Sequence, residues 1–164
     1  MGVFLFILFI AAMGAGVWWN HQNAAKATAG TSFVVAYPPS AVAAAVERAH
    51  NQGAMAALRG TFGGVSVTGL GPSGFATNSK MGDSGEISIS RDPSGSLVTV
   101  RTLDLYVGMP PKQLNHRGGL YGMSVNICHG LYQILGITPG SAKMNRWQNG
   151  LEGRIQKAIA KATR

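Results

Sequence analysis

Val3 to Trp19 (VFLFILFIAAMGAGVWW) is a run of seventeen residues without a charge or a proline. As a helix it spans roughly 25 Å, a little under the ~30 Å hydrocarbon core of a bilayer, and thinning or snorkelling absorbs the shortfall. Trp18 and Trp19 close it with the amphipathic indoles that settle at headgroup level. Gly14 and Gly16 offer a small-residue face for a partner helix, without the four-residue spacing of a dimer motif. The rival reading is a cleaved signal peptide, for which Ala25-Lys26-Ala27 and Ala27-Thr28-Ala29 supply A-x-A sites. The missing basic n-region and the length of the apolar run favour a retained anchor. No basic residue precedes the span, and Lys26, Arg48 and Arg59 follow it. The positive-inside tendency therefore predicts a single-pass cell-membrane protein with its domain on the cytoplasmic side.

The chain divides into an anchor (1–19), a small polar linker (20–30, NHQNAAKATAG) and one domain (31–164), long enough to bury a single core. Cys128 is the sole cysteine, so a cysteine-rich metal site and an intramolecular disulfide are excluded, and the residue is expected to be buried. The net charge of +8 suits an anionic neighbour. Its densest portion lies late, in Lys143, Arg146, Arg154, Lys157, Lys161 and Arg164, which form the candidate anionic-surface contact. A solvated face is the default reading of that helix; with an anchor keeping the domain within reach, anionic lipid is a better partner for it than nucleic acid, since no recognition motif or interleaved aromatics accompany it.

Along the domain, Thr31–Tyr37 reads as a strand stopped by Pro38-Pro39, and Ser40 caps a helix over 41–51 whose apolar face is Val42, Ala45, Val46 and Ala49. A short turn is expected at 54–58. Gly64–Gly69, Gly74–Lys80, Gly85–Arg91 and Leu97–Leu105 alternate as strands. Asp92-Pro93-Ser94-Gly95 joins the last two into the best-specified hairpin. Leu120, Met123, Ile127, Leu131 and Ile134 stand at helical spacing before a C-capping Gly136. Met144, Trp147, Leu151, Ile155, Ile159 and Ala162 then form the stripe of a final amphipathic helix, in which Gly150 and Gly153 mark either a close approach or a break. The fold class is α+β, an antiparallel sheet against a C-terminal helix behind a single transmembrane helix.

No catalytic constellation is present. His21, His50, His116 and His129 lack metal-ligand spacing, and no phosphate-binding loop occurs at 60–64. Cys128 and His129 are adjacent in a helix and point about 100° apart, which argues against a thiol–imidazole pair. Asp83 and Glu86 read as solvated turn carboxylates. His116-Arg117-Gly118-Gly119 is the most polar glycine-rich spot, and a loop before a helix explains it. No catalytic residue, metal or cofactor is expected.

The order strand, Pro-containing turn, Val/Ala-rich helix, antiparallel strands, C-terminal helix resembles the SRPBCC superfamily (START-like, polyketide cyclase/dehydrase-type helix-grip domains). The resemblance rests on FVVAYPPSAVAAAVE at Phe33–Glu47, the Arg91–Arg101 hairpin and the helix at Ser141–Thr163, and covers Thr31 to Thr163. The helical stretch 117–135 departs from it, standing where such domains more often have a final strand and loop. The resemblance implies an apolar ligand or lipid held between sheet and helix, with Met144, Trp147, Leu151 and Ile155 facing Ile87, Ile89, Val98 and Val100. The same side chains filling an ordinary core is the plainer reading. The leading functional expectation is a non-enzymatic, membrane-tethered binder of an apolar molecule. An accessory subunit of a larger membrane complex is its rival, and an enzyme of cyclase or hydrolase type stands third.

Overall fold

The computed structural model describes residues 2–51, 65–71, 73–109 and 119–163. The period-two segments become one five-stranded antiparallel sheet, flanked on one face by helices, so the chain is α+β. A 28-residue helix, α1 (Gly2–Ala29), leads into β1 (Thr31–Val35) and then α2 (Pro39–Asn51). Four strands follow: β2 (Val65–Gly71), β3 (Gly74–Ser79), β4 (Ser84–Asp92) and β5 (Gly95–Asp104). Three helices complete the chain: α3 (Gly119–Ile134), α4 (Ser141–Asn149) and α5 (Leu151–Ala162). The short turn expected at 54–58, the glycine-rich 60–64 and the polar spot at 116–118 lie outside the described residues.

The strand order is β1-β5-β4-β3-β2. Thus β2 to β5 form a meander, and β1 returns to pair with β5, Thr31 opposite Val100 and Val35 opposite Ser96. The Asp92–Gly95 turn forms as expected: Asp92 Oδ1 accepts the Ser94 N–H at 2.9 Å, and Ile87 and Ile89 pair with Val100 and Val98. Alternation sorts the residues cleanly. Ile87, Ile89, Val98 and Val100 are buried under the helices, whereas Ser88 and Ser90 face solvent on the uncovered side.

The expected final helix is two helices. Gly150, at φ −90° and ψ −3°, ends α4 with its N–H on the Arg146 carbonyl and begins α5. Glycine's low helix propensity permits the break there, while Gly153 stays helical. The break has a packing purpose, because α4 lies on α1 and α5 lies on α2. Met144, Trp147, Leu151, Ile155 and Ile159 thereby join Val42 and Val46 in a single core over the sheet.

Candidate membrane-coupling site

The composition of residues 20–30 predicts a linker, yet residues 20–29 continue α1 without interruption. Alanine, glutamine and lysine favour helix, and the polar side chains among them find partners on the domain. Asn20 meets the Thr138 backbone in both directions: Nδ2 donates to the carbonyl at 3.0 Å, and Oδ1 accepts the N–H at 2.9 Å. The Thr138 hydroxyl also donates to Asn20 Oδ1, at 3.2 Å. One residue on, His21 Nε2 lies 3.0 Å from the Leu135 carbonyl, a contact that requires the proton on Nε2. Asn145 donates to Asn23 Oδ1 at 3.3 Å.

One turn further along, Ala27 is fully buried against the core. Its carbonyl is among the four at a helix C-terminus that have no intrahelical partner. Gln148 supplies one: Nε2 donates to Ala27 O at 2.9 Å and to Thr102 Oγ1 at 2.9 Å. Gln148 is 2% exposed and ties α1, β5 and α4 together. Gln148 is not part of the apolar stripe that helical spacing predicts, and no local signal distinguishes it from the exposed Asn149 beside it.

In contrast, the first eighteen residues of α1 extend away from this body. Val3 to Ile10, Met13, Trp18 and Trp19 are all exposed, and the helix is long and apolar enough to span a membrane. The transition from bare to docked helix therefore falls between Trp19 and Asn20.

Beside the junction sits a buried carboxylate. Asp83, expected in solvent, is 1% exposed in the turn between β3 and β4. It accepts the Ser79 hydroxyl at 2.6 Å and the Tyr106 N–H at 3.1 Å, which is why it tolerates burial. It also presses on Gly140 at the start of α4, where a Cβ would fall inside the carboxylate. Lys143, one turn along α4, has its pKa lowered from the ordinary 10.5 by partial burial, opposed by the attraction of Asp83 and reinforced by repulsion from Lys80 and Arg146.

The remaining candidates separate. Met144, Trp147, Leu151, Ile155, Ile87, Ile89, Val98 and Val100, the side chains implied to face a ligand, all belong to the buried core. Of the basic residues, Arg146, Lys157 and Lys161 are exposed and Lys143 is half-buried. Arg154 is half-buried too, its guanidinium 5.5 Å from the Trp147 ring centre and donating to the Trp147 carbonyl. It therefore belongs to the core's edge, where His50 meets Trp147 edge-on at 5.8 Å. Arg164 lies outside the described residues.

Cys128, expected inside, is exposed. Its neighbour His129 turns inward and accepts the Met109 N–H at Nδ1, 3.1 Å away. Among the described residues no three His, Cys, Asp or Glu side chains converge on a point that could hold a metal. At the far tip of the sheet, Tyr37–Pro39 and Arg91–Gly95 border an open groove of about 690 Å³. Comparison with known proteins matches no family model, no curated protein and no solved structure.

Proposed function

We propose that this chain is a membrane-anchored, non-catalytic accessory subunit, its domain held at a fixed attitude on the bilayer by α1. The observation that carries this reading is the continuity of α1. One helix supplies both the bare apolar span and, through Asn20, Asn23 and Ala27, part of the domain's own packing. A domain that merely needed to stay near a membrane would be served by a flexible tether, whereas a docked helix fixes which surface faces the lipid and which faces a partner. Both A-x-A sequences lie within the docked helix, with Ala27 buried, which supports retention of the segment. The cytoplasmic placement of the domain rests on Lys26, in the last turn of α1.

A second reading keeps the apolar ligand. An antiparallel sheet with α2 between its first two strands in the chain and the last helices over it is in keeping with the element order on which the resemblance to the SRPBCC superfamily rests. Against a ligand between sheet and helices stands the burial of all eight implied lining residues in one another's company.

Native mass spectrometry of the full-length chain, extracted from its own membrane in mild detergent, separates the two. The subunit reading expects a mass that includes other polypeptides, lost when Val3–Trp19 is exchanged for an unrelated apolar span. A monomer carrying a stoichiometric apolar adduct, released by Trp147→Arg in a still-folded chain, would overturn it in favour of the ligand reading.

A further inference from the structure

Amphipathic helices ordinarily turn their apolar stripe toward the protein; α3 does the reverse. At about 100° per residue, Met123, Ile134, Ile127 and Leu131 fall within an arc of about 80°. These four are 60%, 82%, 58% and 50% exposed. The opposite side carries the buried Gly122 and Val125 and the half-buried His129 and Tyr132. Polar residues Asn126 and Gln133 lie on one flank. From Gly118 to Ala142 the chain has no charged residue at all. Among the described residues α3 packs extensively on no other helix or strand.

Position says what covers this stripe. The C-terminal end of α3 is closed by Gly136 at φ +62°, with Gly136 N–H on Gln133 O and Ile137 N–H on Tyr132 O. That end is fastened to α1 by the His21–Leu135 and Asn20–Thr138 hydrogen bonds. These two residues directly follow Trp18 and Trp19, the indoles at the end of the bare span. The C-terminal end of the stripe is thus held beside the end of the bare span, at the level where headgroups would lie. Cations stand nearby rather than on α3 itself: Lys143 lies in the first turn of α4, a few residues beyond Thr138, and Lys80 and Arg146 are close enough to act on its charge. Apolar surface beside exposed cations fits the headgroup–acyl boundary of an anionic bilayer.

We propose that α3 is a second membrane-contacting element, lying in the plane of the bilayer with Met123, Ile127, Leu131 and Ile134 in the headgroup–acyl boundary and Lys80, Lys143 and Arg146 over anionic headgroups. The inference rests on α1 spanning the membrane. With that helix vertical and α3 lateral, the domain has two attachments and cannot rotate about the anchor.

Cys128 provides a test, being the sole thiol in the chain and exposed at the edge of this stripe, about 60° round the helix from Leu131. The full-length protein, labelled there with an environment-sensitive dye, is reconstituted in phosphatidylcholine–phosphatidylglycerol vesicles. The expected result is a blue-shifted emission, quenched several-fold more by lipid nitroxide near the headgroup than by aqueous iodide. The dye moved to the middle of the stripe (Cys128→Ser with Ile127→Cys) should be the less iodide-sensitive of the two. Ile127→Asp with Leu131→Asp, which alters exposed positions only, should return the Cys128 probe to iodide while circular dichroism stays unchanged. Equal iodide access with and without vesicles would overturn the proposal. So would efficient Cys128–Cys128 crosslinking in the vesicles, which would assign the stripe to a second copy. Quenching of Trp18 and Trp19 by deep lipid nitroxides reports α1 insertion independently, so failure of α3 to bind and failure of α1 to span give different patterns.

Discussion

A carboxylate lies directly against a bare glycine beside the junction. Asp83 fills the space that a Cβ on Gly140 would need, while Ser79 and Tyr106 hold the carboxylate in place. Gly140→Ala is therefore expected to cost about 1–3 kcal/mol through overpacking. Chemical denaturation measures it, and a double-mutant cycle with Asp83→Ala should show strong non-additivity, because the second change removes the clash. An additive cycle would mean that the backbone shifts instead. Lys143 is the titratable counterpart. Partial burial lowers its folded-state pKa, so the unfolded chain binds its proton more tightly between that lowered value and the ordinary 10.5. In that window stability attributable to Lys143 rises with pH, and below it a constant penalty for the charged form remains. Lys143→Met should raise stability at neutral pH and remove the rise. Denaturation midpoints of both proteins from pH 7 to 10.5 give the comparison, with no difference in slope as the contrary outcome.

Elements differed in how much of them could be read from residues alone. The β4–β5 hairpin was legible because everything that specifies it is local: Asp92 bonds Ser94, and Ile87, Ile89, Val98 and Val100 alternate across the turn. The periodicity of α3 was equally legible, but a stripe tells only that one side is apolar, not whether that side meets protein. Residues 20–29 were misread because the polar side chains that suggest a linker are also those that bond Thr138 and Asn145, whose proximity is set more than a hundred residues later. Of the membrane-coupling site, the span and its Trp18-Trp19 end were visible, and the docking of α1 through Gln148 was not. That docking is measurable. Gln148→Leu keeps most of the volume but leaves the Ala27 carbonyl and the buried Thr102 hydroxyl without their donor. Each orphaned group costs about 1–3 kcal/mol. Proteolysis near Lys26 should accelerate accordingly, because α1 loses its hold before the sheet does. Unchanged proteolysis in a clearly destabilised variant would show that Gln148 supports the core and not the anchor's attachment.

At the scale of the whole molecule, α1 is, on the proposed reading, one rod with two functions. Its 28 residues extend about 42 Å, more than the ~30 Å of hydrocarbon a span needs. The excess turns belong to the domain, where Ala27 is core and Asn20 and Asn23 are contacts. The boundary between membrane part and folded part should therefore lie at Trp19–Asn20, not at the end of a linker near Gly30. A chain beginning at Asn20 keeps the Asn20, His21, Asn23 and Ala27 contacts with the body, so its thermal unfolding should be cooperative and close to that of the full-length protein in detergent. A chain beginning at Thr31 loses the Asn20–Thr138 and Gln148–Ala27 hydrogen bonds and uncovers the side of α4 that packs on α1. At about 0.5–1.5 kcal/mol for each hydrogen bond, before any apolar surface is counted, its midpoint should fall by several degrees. Equal midpoints for the two shortened chains would mean that residues 20–29 contribute nothing to folding. The domain would then be free to swivel beneath its span, and the fixed attitude on which the subunit reading depends would be lost with it.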